Sequence, residues 1–168
     1  MNDLTTSKEK TSYKTPLPYV RGFKELVVYQ KTRVLAREVF KITKKFPREE
    51  SFSLTDQWRR ATRSIGAQIA EAWAKRRYPR HFVSKLSDAD GEQMETQHWV
   101  IVAYDYGYIT REDAKRLGSL TLEIGCMLGD MMQNPESFCG DLSGDMLKET
   151  PTSYFADEPL DEILNTEY

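Results

Sequence analysis

At 168 residues, with 39% hydrophobic and 30% charged side chains and a net charge of −2, the chain has the size and composition of one soluble domain with tails. No apolar run approaches the ~18–20 residues needed to cross a bilayer, and the opening MNDLTTSKEKTSYK lacks the apolar centre of a secretory signal. Cys126 and Cys139 make no disulfide framework, so a reducing cytoplasm is the expected compartment. The small net charge conceals a split: residues 1–85 hold 20 Lys/Arg against 8 Asp/Glu, and residues 86–168 hold 4 against 18. Such a division points either to a basic surface for a polyanion or to two oppositely charged halves folded on each other.

Residues 1–22 are polar, contain Pro16 and Pro18, and carry no periodic apolar pattern, which predicts a flexible N-terminal arm. From Phe23 the pattern changes. Val28, Thr32, Leu35, Val39, Ile42 and Phe46 recur at the 4-3 spacing of a bundled helix, with Leu26, Tyr29, Ala36 and Phe40 widening the apolar sector. Pro47 stops that helix. Ser53 and Asp56 read as a capping pair for a second helix running to about Arg77. Leu54, Trp58, Ala61, Ile65, Ile69 and Ala72 share one of its faces, and Gln57, Arg60, Ser64, Gln68 and Glu71 form a polar line beside it.

Tyr78-Pro79 breaks the chain before a third helix, whose seam is Phe82, Leu86, Ala89, Gln93, Thr96, Val100 and Ala103. Gly107 ends it. Thr110 and Asp113 cap a fourth helix with a seam at Leu117, Leu120, Ile124, Leu128 and Met131, closed by Asn134-Pro135. Four such helices with short connections predict an all-α fold, an antiparallel up-down-up-down four-helix bundle over residues 23–133. Residues 134–168 hold nine acids and one lysine. They are expected to be a disordered acidic tail, in which Pro159–Leu164 suits a short docking helix for a protein partner. Second apolar lines at Val83, Met94 and Ile101, and at Met127 and Met132, predict self-association.

The catalytic and metal chemistries accessible to a bundle find little support. A di-iron site needs two Glu-x-x-His motifs. Glu95–His98 is one, and the other histidine, His81, supplies no second. Two cysteines do not make a zinc set, the glycines form no phosphate loop, and Ser64 has no histidine to activate it. No enzyme, metal or cofactor is expected.

The basic residues are the better lead. Arg59, Lys75, Arg76, Arg77, Arg80 and His81, with Lys44 and Lys45 from the first helix, are candidates for contact with RNA or DNA, and no acid falls between residues 72 and 87. Folding the second and third helices as a hairpin about Tyr78 places Arg60 opposite Glu95, Arg63 opposite Glu92 and Glu71 opposite Lys85. Gln57, Arg60, Arg63, Ser64, Glu71, Lys85, Glu92 and Glu95 are therefore expected to form an internal polar seam that specifies register. Arg59, Lys75, Arg76, Arg77 and Arg80 remain without such partners.

The stretch QWRRATRSIGAQIAEA at residues 57–72 resembles the Q-x-x-R-A-x-x-S-I-x-x-N-I-A-E-G block of the 23S rRNA intervening-sequence proteins. Residues 23–50 resemble that family's opening helix and Phe-Pro turn, residues 89–95 its A-x-G-S-x-x-E segment, and residues 105–109 its Leu-Gly-Tyr-Ile turn. The resemblance covers residues 20–133. It implies an antiparallel four-helix bundle that assembles as a homopentamer, related to accessory variability proteins of diversity-generating retroelements, which bind nucleic acid through a basic surface. Gln57, Arg60, Ser64, Ile65, Ile69, Ala70, Glu71, Gly91 and Glu95 match the pattern. Gln68 stands for Asn, Ala72 for Gly and Glu92 for Ser. Function is then expected to be that of a non-enzymatic, nucleic-acid-associated accessory protein, or of a protein-interaction ring with no nucleic-acid role.

Overall fold

The computed structural model describes residues 20–139. Most of the expected N-terminal arm, and the acidic tail beyond Cys139 with its Pro159–Leu164 segment, lie outside the described residues. Within them are five α-helices, four of them long, and no strand: α1 (Val27–Thr43), α2 (Leu54–Ala74), α3 (Pro79–Asp105), α4 (Arg111–Gln133) and a single turn, α5 (Glu136–Cys139). None is long and apolar enough to span a membrane.

Each long helix buries most of the line its spacing predicts, but on α1 Thr43 is buried in place of the half-buried Ile42, and Phe46 lies past the helix end. Leu35, Val39, Trp58, Ile65, Ile69, Phe82, Leu86, Ala89, Ile124 and Leu128 are essentially inaccessible. On α4 the buried line passes through Thr121 rather than Leu120, which is only half-buried. Thr121 satisfies its hydroxyl by donating to the Leu117 carbonyl (2.7 Å), so it can occupy the core without an orphaned donor. Its own carbonyl accepts from Gln93 Nε2 at 3.0 Å, and Gln93 is almost wholly buried. Gly125 makes room for that amide: a β-carbon there would sit about 3.0 Å from the Gln93 side chain.

The antiparallel register appears in pairs that run in opposite senses along facing helices. Lys31 meets Glu123 (2.9 Å), and two turns on, Glu38 meets Arg116, two turns back from Glu123. Between α2 and α3, Lys85 bonds Glu71 at 2.9 Å and Gln68 at 3.1 Å. On α1 and α2, Arg59 Nε donates to Thr43 Oγ1 at 2.7 Å.

The termini hold three further findings. Thr110 caps α4 by accepting from the Asp113 amide at 3.1 Å, and Gly107 takes the left-handed φ of 72° that a non-glycine residue avoids. Ser53 does not cap α2, because its backbone (φ −116°, ψ −108°) is outside the extended region a capping residue needs. Glu50 does so instead: its carboxylate accepts from the Ser53 hydroxyl and from the Leu54 amide (3.3 Å), and its other oxygen accepts from Tyr108 (3.1 Å). The Ser53 hydroxyl, then the Leu54 amide and Tyr108, hold the Glu50 pKa below its usual value against the opposing effect of burial. Finally, α2 ends at Ala74 rather than Arg77, and packing continues past Gln133, with Phe138 stacked on Phe82 at 6.0 Å and Cys139 buried.

Two glycines four residues apart on α4 test the Gln93 arrangement. Gly129 has open space where a β-carbon would go, so Gly129→Ala is expected to raise stability by about 0.5–1 kcal/mol through helix propensity. Gly125→Ala is expected to lose that gain and fall below wild type as Gln93 is pushed off the Thr121 carbonyl, an effect of about 1 kcal/mol or more. Urea denaturation of both variants decides it; equal gains would show that Gln93 yields without cost.

Candidate nucleic-acid interface

The basic residues singled out from the sequence fall into two separate groups. Arg59, Lys44 and Lys45 sit where α1 ends and α2 begins, whereas Lys75, Arg76, Arg77, Arg80 and His81 occupy the α2–α3 turn at the opposite end. Sixteen residues of helical rise put about 24 Å between Arg59 and Lys75. They do not make one patch.

The first group belongs to a groove between α1 and α2 lined by Ala36, Arg37, Phe40, Arg59 and Arg63, with a volume of about 190 Å³. No acidic side chain lines it. Phe40, counted in the sequence among the core-widening residues, is 47% exposed. Two cations flank its ring, Lys44 Nζ at 4.6 Å and the Arg59 guanidinium carbon at 4.9 Å from the centroid. The ring's π-cloud attracts both cations, and a base that displaces one of them can stack on the freed face while the charges meet phosphates. Sequence reading missed Arg37, Phe40 and Arg63 as members of one site, because the groove exists only once two helices lie side by side. A faint signal was available: Arg37, Phe40 and Lys44 are spaced 3-4 on α1, and Arg59 and Arg63 four apart on α2.

Arg59 and Arg76 are held by contacts other than a carboxylate. Arg59 bonds Thr43, and Arg76 donates to the Trp73 carbonyl (2.9 Å) with its guanidinium 4.4 Å over the Trp73 ring. Lys75, Arg77, Arg80 and His81 are exposed, and Lys75, Arg80, His81, Ser84 and Lys85 line a shallow cavity of about 220 Å³. The His81 ring lies 5.8 Å from that of Tyr78.

The polar seam forms only in part. Glu71 and Lys85 pair as the hairpin register predicts, and Lys85 also reaches Asp88 at 3.2 Å; these two carboxylates raise its pKa above the usual lysine value. Gln57 is exposed and Ser64 half-buried. Arg60 pairs within its own helix with Asp56 (3.9 Å) instead of Glu95, and Arg63 turns to the Arg59 carbonyl (2.7 Å) instead of Glu92. Glu95 accepts from the Trp99 indole (2.9 Å). Hairpin numbering matches levels along the axis but not positions around it, and Arg63 lies on the α1 side of α2. Glu92 is left among like charges: burial first, then Glu95 and Asp88, raise its pKa above 4.5, opposed by Arg60.

The Glu95–His98 motif is not gathered into a ligand set. His98 is exposed with its ring 4.8 Å from Trp99, and among the described residues no three His, Cys, Asp or Glu side chains are arranged to hold a metal ion. Cys139 is buried and its thiol pKa is pushed up by that burial, with Arg76 opposing.

Several of the exposed apolar residues lie on α3 and α4. Met94, Ile101, Tyr104 and Leu122 are 45–59% exposed, and Ile101, Tyr104 and Leu122 line a groove of about 490 Å³ that Arg111 and Lys115 border. Val83, Met127 and Met132, expected in the second apolar lines, pack against the core instead.

The sequence model of the 23S rRNA-intervening sequence protein family matches residues 24–130. Among solved structures, a protein of unknown function from the S23 ribosomal protein family of Bacteroides thetaiotaomicron VPI-5482 is similar, with 30% identity and a TM-score of 0.58. The match covers 64% of this chain and 99% of that one. A search of curated protein sequences finds no match.

Glu92 yields a pH test. A raised folded-state pKa means the native protein holds this proton more tightly than the unfolded chain does, so stability falls as pH rises from the ordinary glutamate value through the raised one. Glu92→Gln is expected to melt at higher temperature than wild type at pH 7, with the advantage gone below about pH 4. Thermal unfolding at a series of pH values reads this, and a variant no more stable at pH 7 rejects it.

Proposed function

From the premise that this chain belongs to the 23S rRNA-intervening sequence protein family, we propose that it is a non-enzymatic accessory protein that binds RNA or DNA through the α1–α2 groove. The observation that carries this reading is the exposed Phe40 ring between Lys44 and Arg59, in a groove that Arg37 and Arg63 complete and no acid enters. The cations engage phosphates, which makes binding salt-dependent. Phe40 stacks on an unpaired base that displaces Lys44 from its face, a contact indifferent to sequence because every base has a π-face. Arg59 is held by Thr43, so its guanidinium is placed before a ligand arrives.

A 20-nucleotide RNA hairpin with a single-stranded flank, titrated by fluorescence anisotropy at several salt concentrations, tests the reading. Arg37→Ala with Arg63→Ala is expected to flatten the log–log salt slope by about two units. Phe40→Ala is expected to weaken binding to the flanked hairpin about tenfold, within the ~1–3 kcal/mol of a base–aromatic stack, and to spare a blunt duplex. Unchanged affinity in both variants, with helicity retained, rejects the groove as the site.

The exposed line of Met94, Ile101, Tyr104 and Leu122 favours a second reading, a homo-oligomer built on the α3–α4 face and serving as a protein-interaction scaffold. Ile101→Asp with Leu122→Asp is expected to convert the oligomer to a single chain in sedimentation analysis. A wild-type mass of one chain rejects this assembly and leaves groove binding untouched.

A further inference from the structure

The second basic group, at the α2–α3 turn, is not absorbed by the groove. Lys75, Arg77 and Arg80 are exposed, and none has an acidic partner among the described residues. With His81 they crowd one end of the bundle. The last described turn, α5, packs at this same end: Phe138 stacks on Phe82 of the first α3 turn. Cys139 is buried there within electrostatic range of Arg76. The chain therefore leaves the bundle beside the turn, while the α1–α2 groove begins about 24 Å along α2.

Beyond residue 139 the sequence is of opposite charge. Residues 140–168 carry Asp141, Asp145, Glu149, Asp157, Glu158, Asp161, Glu162 and Glu167 against the single Lys148. Four of these acids fall in the six residues Asp157-Glu158-Pro159-Leu160-Asp161-Glu162. The seventeen-residue connection between Cys139 and Asp157 would span about 23 Å as a random coil and up to roughly 60 Å extended, so it can return to its point of departure. Tethering at that length supplies an effective concentration in the millimolar range, enough for contacts too weak to hold a free peptide.

We propose that the α2–α3 turn is a docking surface for the chain's own acidic segment Asp157–Glu162, whose carboxylates meet Lys75, Arg77 and Arg80. The turn is then a site for an internal polyanion, distinct from the groove proposed for nucleic acid. Binding through charge at an exposed surface is weak and salt-sensitive, which suits a contact that opens when a stronger competitor arrives.

Zero-length carbodiimide coupling of the full-length protein tests this, because it joins only a carboxylate and an ammonium already in contact. An equal mixture of ¹⁵N-labelled and unlabelled chains separates links within a chain from links between chains. Mass spectrometry is expected to find Lys75 joined to the 157–162 segment within one chain. The yield should fall at least tenfold in 1 M NaCl, where the screening length is about 3 Å. Arg77→Glu with Arg80→Glu, both exposed positions, is expected to abolish the link while leaving helicity unchanged. No link at Lys75, an undiminished yield in the double variant, or coupling of the segment to Lys44 in the groove or Lys115 on the α3–α4 face would each overturn the proposal. So would links found only between chains. None of these outcomes depends on whether the groove binds nucleic acid.

Discussion

The structure depends first on the packing of α2 against α3. Trp58, Ile65, Ile69 and Ala72 on α2 and Phe82, Leu86, Ala89 and Val100 on α3 are buried together in the core, and a turn set by Tyr78-Pro79 leaves little freedom in how the two helices meet. Burying large apolar side chains on this scale contributes ~1.5–3 kcal/mol for each of the larger residues. Polar pairs contribute less energy and more definition. Lys85 can reach Glu71, Gln68 and Asp88 at once only in one register. With that hairpin set, α2 has one remaining long side to offer α1, and the cations on that side form the wall of a groove.

A second consequence concerns charge. The basic N-terminal half does not neutralise itself against the acidic half wherever geometry permits. Arg60 turns to Asp56 on its own helix, Arg63 to a backbone carbonyl, and Glu92 stays among carboxylates. Lys31–Glu123 and Arg116–Glu38 do bridge the halves along α1 and α4. The pairing between the two halves is thus concentrated along one edge of α1, which leaves Arg37 and Lys44 on its other edge available. The wall between α1 and α4 is electrically quiet, and the wall between α1 and α2 is not.

Periodicity made the helices legible because every one repeats its apolar line at the spacing of a bundle, and no competing pattern interrupts it. The Thr110–Asp113 cap and Gly107 were legible for the same reason, each being a local rule with local geometry. What escaped was whatever depends on a neighbour. Glu50 caps α2 only because the loop folds its carboxylate back over Ser53 and Leu54. Thr121 rather than Leu120 keeps the 4-3 spacing of Leu117, Ile124, Leu128 and Met131, and its polarity hid it, since a hydroxyl enters the core only where it finds an acceptor, here the Leu117 carbonyl. Phe40 widens the apolar sector of α1, which points to a further neighbour inside the bundle or across a subunit boundary. Its exposure follows from the position of α2, which α1 alone does not encode.

Gly66 lies half-buried on the side of α2 that meets α1, and a β-carbon there would come within 3.0 Å of Thr32 Oγ1. The Thr32 and Tyr29 side chains of α1 pack directly against the α2 backbone at this point, because Gly66 has no side chain to hold them off. That approach acts as a pivot: it fixes the separation of the rows carrying Arg37 and Lys44 on one side and Arg59 and Arg63 on the other. The gauge of the groove is thus determined by a residue with no charge and no side chain. A substitution at this one half-buried spacer would change the width of the groove while every cation keeps its place in the sequence.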